Sequence, residues 1–207
     1  MMKPSDAIQV LMNGVDCWNF SYNEVPCELL LIGEAAFPVL VNGKGQVLIA
    51  ASQYGKGRMV VLAHEGYMHY TSLTQFFHNA VGWLNGSPCA AIGVHSSVKS
   101  LICILSSTCV EVQNTDYITD SLGVYCMNAY DATMAKQLIQ FVKNGGGLLI
   151  GGQAWHWASQ QCQNKVLSDF PGNQITSVAG VYFTDTYGDI SCLKVSKEVP
   201  LSPLLVR

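Results

Sequence analysis

Short apolar runs broken by turn residues fill the stretch from Glu28 to His64: ELLLIG (28–33), FPVLVN (37–42), QVLIAAS (46–52) and RMVVLAH (58–64). Pro38, the Asn42 to Gly45 turn and the Tyr54 to Gly57 turn punctuate them, so three of these runs predict an antiparallel meander. Ahead of it, Ser5 or Asp6 caps a short helix through Met12 that Asn13-Gly14 ends, and a loop with Trp18 and Tyr22 leads to Pro26 as a docking segment. Behind it, Leu73, Phe76, Phe77, Ala80 and Leu84 share one helical face after Thr71-Ser72, and Asn85-Gly86 with Pro88 closes that helix. Beyond Pro88 the pattern alternates: strand IGVH (92–95), helix 98–107, strands VEVQ (110–113) and LGVYC (122–126), helix 131–143, strand LLIGG (148–152), helix 157–167 and strand GVYF (180–183). Alternation of this kind predicts a mostly parallel sheet flanked by helices, an α/β fold in which residues 1–88 form a β-meander plus helix packed on residues 89–207.

The run MAKQLIQFVKNGGGLLIGGQAWHW (134–157) organises the second part. Met134, Leu138, Phe141 and Val142 make one apolar stripe, with Lys136, Gln137, Gln140 and Lys143 facing away. Asp131 is placed to accept first-turn amides, and Asn144-Gly145 supplies the left-handed residue at the far end. Leu148-Leu149-Ile150, wholly apolar between glycines, predicts a central strand covered on both faces. Its carboxyl end opens into Gly151 to Trp155, where open α/β sheets carry their ligands and catalytic groups. A nucleophile elbow needs Ser or Cys there, and the residue offered is Gln153, whose carboxamide neither attacks nor transfers protons near neutral pH. No catalytic residue, cofactor ligand or metal ligand is therefore assigned.

Composition narrows the partners. Of 207 residues 49% are hydrophobic and 12% charged, and the formal net charge of -3 comes without any cluster of Lys and Arg, so no nucleic-acid footprint is present. Much surface is expected to be buried against the chain itself or a partner, because interface cores are depleted in charge. No apolar run reaches the roughly 18 residues of a membrane span, and Lys3, Pro4 and Asp6 interrupt the start where a signal peptide needs an apolar centre. A cytoplasmic protein without direct membrane insertion follows as the expectation, its eight cysteines reduced and none paired as C-x-x-C. After Tyr187 the tail carries Pro200 and Pro203 without a closing turn, which reads as a cut end.

Several motifs carry blander roles than their first appearance suggests. HEGYMH (64–69) places its histidines five apart with Gly66 between, whereas zinc-protease chemistry needs them at i and i+4 of a helix; His64 ends a strand and Glu65 begins a loop. Asn144 to Gly147 follows a helix and precedes a strand, the reverse of the phosphate-binding order. YGKGR (54–58) reads as a hairpin turn with solvated charges. Cys126, at a strand end, with His95 as a conceivable base, is the alternative constellation for an amidohydrolase, against a buried structural thiol. Trp155 and Trp157 are interaction anchors or core residues, and Gly151 to Trp155 could also serve a small-ligand sensor.

The runs PCELLLIGEAAFPVLVN, GQVLIAASQYGKGRMVVLAHEGY, FFHNAVGWL, DSLGVYCMNAY, FVKNGGGLLIGGQAWHWAS, FPGN and TSVAGVYFTDTYGD resemble the amino-terminal region of the TRP channel-associated factors, over nearly the whole chain from about Ala7. The resemblance implies a non-enzymatic protein that binds the cold- and menthol-sensing TRP melastatin-type channel, promotes its delivery to the plasma membrane, modulates its gating and affects cell migration, sitting peripherally at that membrane through the channel. It also implies a fold similar to class I glutamine amidotransferases, with Gln153 where their cysteine would stand, hence a pseudoenzyme. Members of that family continue into a metallopeptidase-like region, which this sequence does not include.

Overall fold

The computed structural model describes residues 2–21, 24–87, 89–161, 165–191 and 193–200 and the backbone of 205–206. Helix α1 (Pro4–Leu11) precedes strands β1 (Cys27–Ile32), β2 (Ala36–Val41), β3 (Val47–Tyr54) and β4 (Gly57–Leu62), and helix α2 (Thr74–Leu84) follows. Then come β5 (Ala91–Val94), α3 (Leu101–Leu105), β6 (Val112–Asn114), β7 (Leu122–Asn128), α4 (Ala135–Asn144), β8 (Gly147–Gly151), α5 (Ala154–Gln161), α6 (Val166–Asp169), α7 (Pro171–Thr176), β9 (Val181–Tyr187) and β10 (Leu205–Val206).

The expected meander is β2-β3-β4, antiparallel throughout, and its β3-β4 turn is the tight Gly55-Lys56 pair between Tyr54 and Gly57. Strands β6, β5, β7 and β8 form the expected parallel sheet. The two join seamlessly: β4 pairs in parallel with β8 from Arg58↔Gly147 to Leu62↔Gly151, so a strand of the first part and a strand of the second lie in one sheet. Every residue of β8 is buried, as a strand covered on both faces requires. Helix α4 packs beside it with Leu138 and Val142 fully buried, and Gly145 ends the helix at φ +125°. Asp131 Oδ1 accepts the Thr133 N–H at 2.7 Å, which makes a turn ahead of the helix rather than its first cap.

Three expectations change. Strand β9 does not join the parallel sheet but runs antiparallel to β1, with Leu29↔Phe183, Leu30↔Tyr182 and Leu31↔Val181 in register. A parallel return needs a crossover that carries the chain the length of the sheet. Here Pro171 forces Phe170 into an extended conformation (φ -61°, ψ 125°) and splits the crossover into short helices, so the chain arrives beside β1 instead. The helix expected at 98–107 shrinks to α3 behind a 3-10 turn at Ser96–Val98. Ser106 and Thr108 hydroxyls bond back to the carbonyls of Cys103 and Leu105 and take the acceptors a longer helix would use. Helix α5 begins at Ala154, earlier than the expected Trp157, so Gln153 stands directly before a helix; of the span to Leu167, residues 162–164 lie outside the described residues.

Trp18 in the docking segment is buried edge-on against Phe76 of α2 at 5.2 Å, while Tyr22 lies outside the described residues.

Candidate functional site at the carboxyl ends of β4, β7 and β8

Because Leu62, Asn128 and Gly151 are register partners, the residues that follow them emerge side by side. β4 delivers His64 and Glu65, β7 delivers Tyr130, and β8 delivers Gln153. They form one network. The Tyr130 hydroxyl donates to Glu65 Oε2 at 2.9 Å and accepts the Gln153 N–H at 2.9 Å. The Gln153 carboxamide lies 2.5 Å from His64 Nε2 and 3.4 Å from Glu65 Oε1. The Gly66 N–H donates to His64 Nδ1 at 2.8 Å, in the 3-10 turn Glu65–His69.

The last bond fixes the imidazole. Nδ1 is an acceptor, so a neutral ring carries its proton on Nε2, and the carboxamide atom facing it must be the oxygen. His64 is held neutral: burial, with the charges of His69 and His156, lowers its pKa to about 4. Burial raises Glu65, against the hydrogen bonds that its own backbone N–H and Tyr130 offer. The unfolded chain therefore binds the His64 proton between about pH 4 and its ordinary value near 6.5, and the folded chain does not. Stability contributed by neutral His64 is complete above that window and is lost as pH falls through it; raised Glu65 acts with the opposite sign. An NMR titration should show a His64 midpoint near 4, and a midpoint at or above 6.5 would contradict this environment.

The thiol at this end is Cys27, which carries no signal in the sequence beyond an apolar neighbourhood. It is fully buried, its Sγ–H shared between the carbonyls of Ala63 at 3.4 Å and Gly152 at 3.5 Å. Burial pushes its pKa up to about 12, so it stays a thiol at neutral pH. Cys126 is also fully buried, and burial raises its thiol further still. The His95 ring turns to Ser97 Oγ at 2.7 Å and Asp116 Oδ1 at 3.4 Å, and its backbone N–H, not its ring, bonds Cys126 through the carbonyl. The Cys126 and His95 side chains are therefore not brought together. Brief alkylation of the native chain should label Cys17, Cys89, Cys103 and Cys109, all exposed, well ahead of Cys27 and Cys126. Fast labelling of either buried thiol, read by peptide mass spectrometry, would contradict this.

Trp155 donates its indole N–H to the Val25 carbonyl at 3.0 Å and lies 4.7 Å from the ring of the exposed Tyr187. Trp157 packs edge-on to Phe170 at 5.5 Å. The outer Trp is thus a rim residue and the inner one a core contact. His69 closes the 3-10 turn with its side chain exposed, and among the described residues no group of three or more His, Cys, Asp or Glu could hold a metal ion. Tyr130 was missed in the sequence, although it stands just past the end of β7 where the strand-end rule points. Replacing Tyr130 with Phe removes both the acceptor for Gln153 N–H and the donor to Glu65, and should cost about 1–3 kcal/mol by thermal unfolding.

A family model described as "TRPM8, N-terminal domain" matches residues 2–173 and 161–207, which together span nearly the whole chain. The chain belongs to the TRPM8 channel-associated factor family. It is 61% identical over 201 residues to TRPM8 channel-associated factor 2 of Homo sapiens, covering 97% of this chain and 22% of that protein. It is 58% identical over 206 residues to factor 1 of Bos taurus, covering 100% of this chain and again 22% of the relative. Thus the chain spans about a fifth of these curated relatives. Among solved structures, IMPa from Pseudomonas aeruginosa in complex with an O-glycopeptide superposes with a TM-score of 0.59 at 15% identity, over 94% of this chain and 24% of that one. A second IMPa structure, a metallopeptidase in complex with T-antigen, gives a TM-score of 0.58 at 17% identity. At such identities the likeness concerns the fold of this chain alone. Among the described residues no helix is long and apolar enough to cross a membrane.

Proposed function

We propose that this chain is a channel-binding, non-catalytic module that associates with TRPM8, promotes the channel's delivery to the plasma membrane and modulates its gating, with an effect on cell migration. The observation that carries the reading is the 61% identity to a protein named for TRPM8 association, sustained over 97% of the chain. The strand ends add support. Gln153 occupies the position where the fold would offer a nucleophile, and Cys27 is locked onto backbone carbonyls with its thiol pushed up to about 12. That arrangement holds a shape well and activates nothing. Location at the plasma membrane is peripheral and follows from the channel.

The test is made in cells that express the channel with and without this chain. Surface biotinylation should show more channel at the plasma membrane when the chain is present, and menthol-evoked current per surface channel should change. Unaltered surface channel and unaltered current, with a full-length relative active in the same cells, would place the function outside the fifth of the relatives that this chain spans.

A further inference from the structure

Independently of channel binding, the same end of the sheet holds a carboxylate that is only half answered: the Tyr70 side chain hydrogen-bonds Glu24, and one Glu24 oxygen is left over. Glu24 enters from the docking segment, and its carboxylate lies flat on Gly66: a Cβ there would come within 2.8 Å of Cδ and Oε1 and 2.9 Å of Oε2. Its Oε2 is buried without a hydrogen-bond partner among the described residues. The hydroxyl of Tyr67, a residue 0% exposed, is likewise buried without a partner. That ring is clamped between Phe20 at 4.0 Å and His64 at 5.5 Å, so it cannot swing out to find water. Glu65 is the second carboxylate, 23% exposed at its side chain, and gives the cluster its opening to solvent.

Among the described residues no lysine or arginine nitrogen comes within salt-bridge distance of either glutamate; the ion pairs join Lys44 to Asp189, His64 to Glu65 and His95 to Asp116. A buried carboxylate oxygen and a buried hydroxyl left without partners are costly together, and a group that donates to both removes that cost. Burial raises the Tyr67 hydroxyl first, and electrostatic interactions with Cys27 and with the Glu24 carboxylate raise it further.

We propose that Glu24, Glu65 and Tyr67 form a receptor site for a primary ammonium group, which donates to Glu24 Oε2 and to the Tyr67 hydroxyl oxygen while Glu65 supplies the second negative charge. A slender ammonium suits two buried acceptors, where a broad guanidinium fork would need more room. The group arrives on a small amine or at the tip of a lysine side chain, and its chemistry is the same in both.

The experiment titrates the full 207-residue chain with cadaverine, with Nα-acetyl-lysine methylamide and with neutral 1,5-pentanediol, following the NMR signals of Tyr67, Gln153 and the Gly66 amide. Saturable shifts with the two amines and none with the diol are expected. Tighter binding of the lysine derivative identifies a protein lysine as the natural source, and tighter binding of cadaverine identifies a free amine. Glu24→Gln should weaken the amines about tenfold or more, and should change the melting temperature of the free protein little, because the isosteric carboxamide can still accept from Tyr70. Gly66→Ala, which displaces the carboxylate from its seat, should weaken them comparably, whereas Lys56→Gln at the opposite end of the sheet should have no effect. Equal response to the diol, no saturable shift, or undiminished amine binding in both Glu24→Gln and Gly66→Ala would overturn the proposal and leave the cluster as one that water satisfies.

Discussion

Replacing Gly57 with alanine will cost at least about 4 kcal/mol and lower the melting temperature by about 8–16 °C, if the chain folds at all. Gly57 opens β4 just where the β3-β4 hairpin passes the end of α4. A Cβ there would sit 2.2 Å from the carbonyl oxygens of both Val142 and Gly146. Both are backbone atoms, on either side, so no rotamer change relieves the clash. The neighbouring bonds depend on this approach: Lys56 N–H reaches the Lys143 carbonyl at 3.0 Å, and Arg58 N–H reaches Gly146 at 3.3 Å. Arg58 also donates to the Trp83 carbonyl, and its guanidinium lies 5.1 Å from the Trp83 ring centroid. The damage therefore falls on the junction that makes one sheet of the two halves. Gly82→Ala is the control, since nothing lies within 4 Å of its added Cβ in the last turn of α2; it should stabilise by about 0.5–1 kcal/mol. Equal melting temperatures for the two variants, measured by circular dichroism, would refute the close approach.

Phe170→Ala carries the second large effect, about 3–5 kcal/mol. The ring is 0% exposed and stands edge-on to Phe183 at 5.2 Å, Trp157 at 5.5 Å and Tyr130 at 5.9 Å. It is the wedge between the short helices and β9, so its loss leaves a cavity that those helices can close only by moving. Tyr130 leans on this ring while its hydroxyl serves Glu65 and Gln153, so the polar network should loosen as well. Hydrogen exchange at the Gln153 amide should accelerate more than the global loss of stability explains. A cost under about 1 kcal/mol with unchanged exchange would mean that the packing is not limiting.

What could be read from the sequence, and what could not, divides along one physical line. Local signals located the meander, α2, α4 and β8, because glycine turns and 3.6- or 2-residue periods act over a few neighbours. They also placed Gln153 at a strand end. Strand order is not local: that Leu62 and Asn128 both flank Gly151, and so bring Glu65 and Tyr130 to Gln153, depends on pairings between residues 23 to 89 positions apart. The antiparallel seat of β9 on β1 was hidden for the same reason, since the run GVYF reads alike in either direction. Cys27 looked like any cysteine in an apolar run until β4 and β8 placed the Ala63 and Gly152 carbonyls against its sulfur. The amidohydrolase alternative for the Cys126 and His95 pair rests on strand ends alone, and the orientation of each side chain decides against the pairing: one is buried in the core, the other turns toward Asp116.

The most direct test of the central claim is retention of purified TRPM8 in detergent on the immobilised 207-residue chain. The account predicts saturable retention that the free chain competes away, matched by the human factor 2 region to which it is 61% identical. No retention here, while full-length factor 2 holds the channel on the same resin, would contradict it.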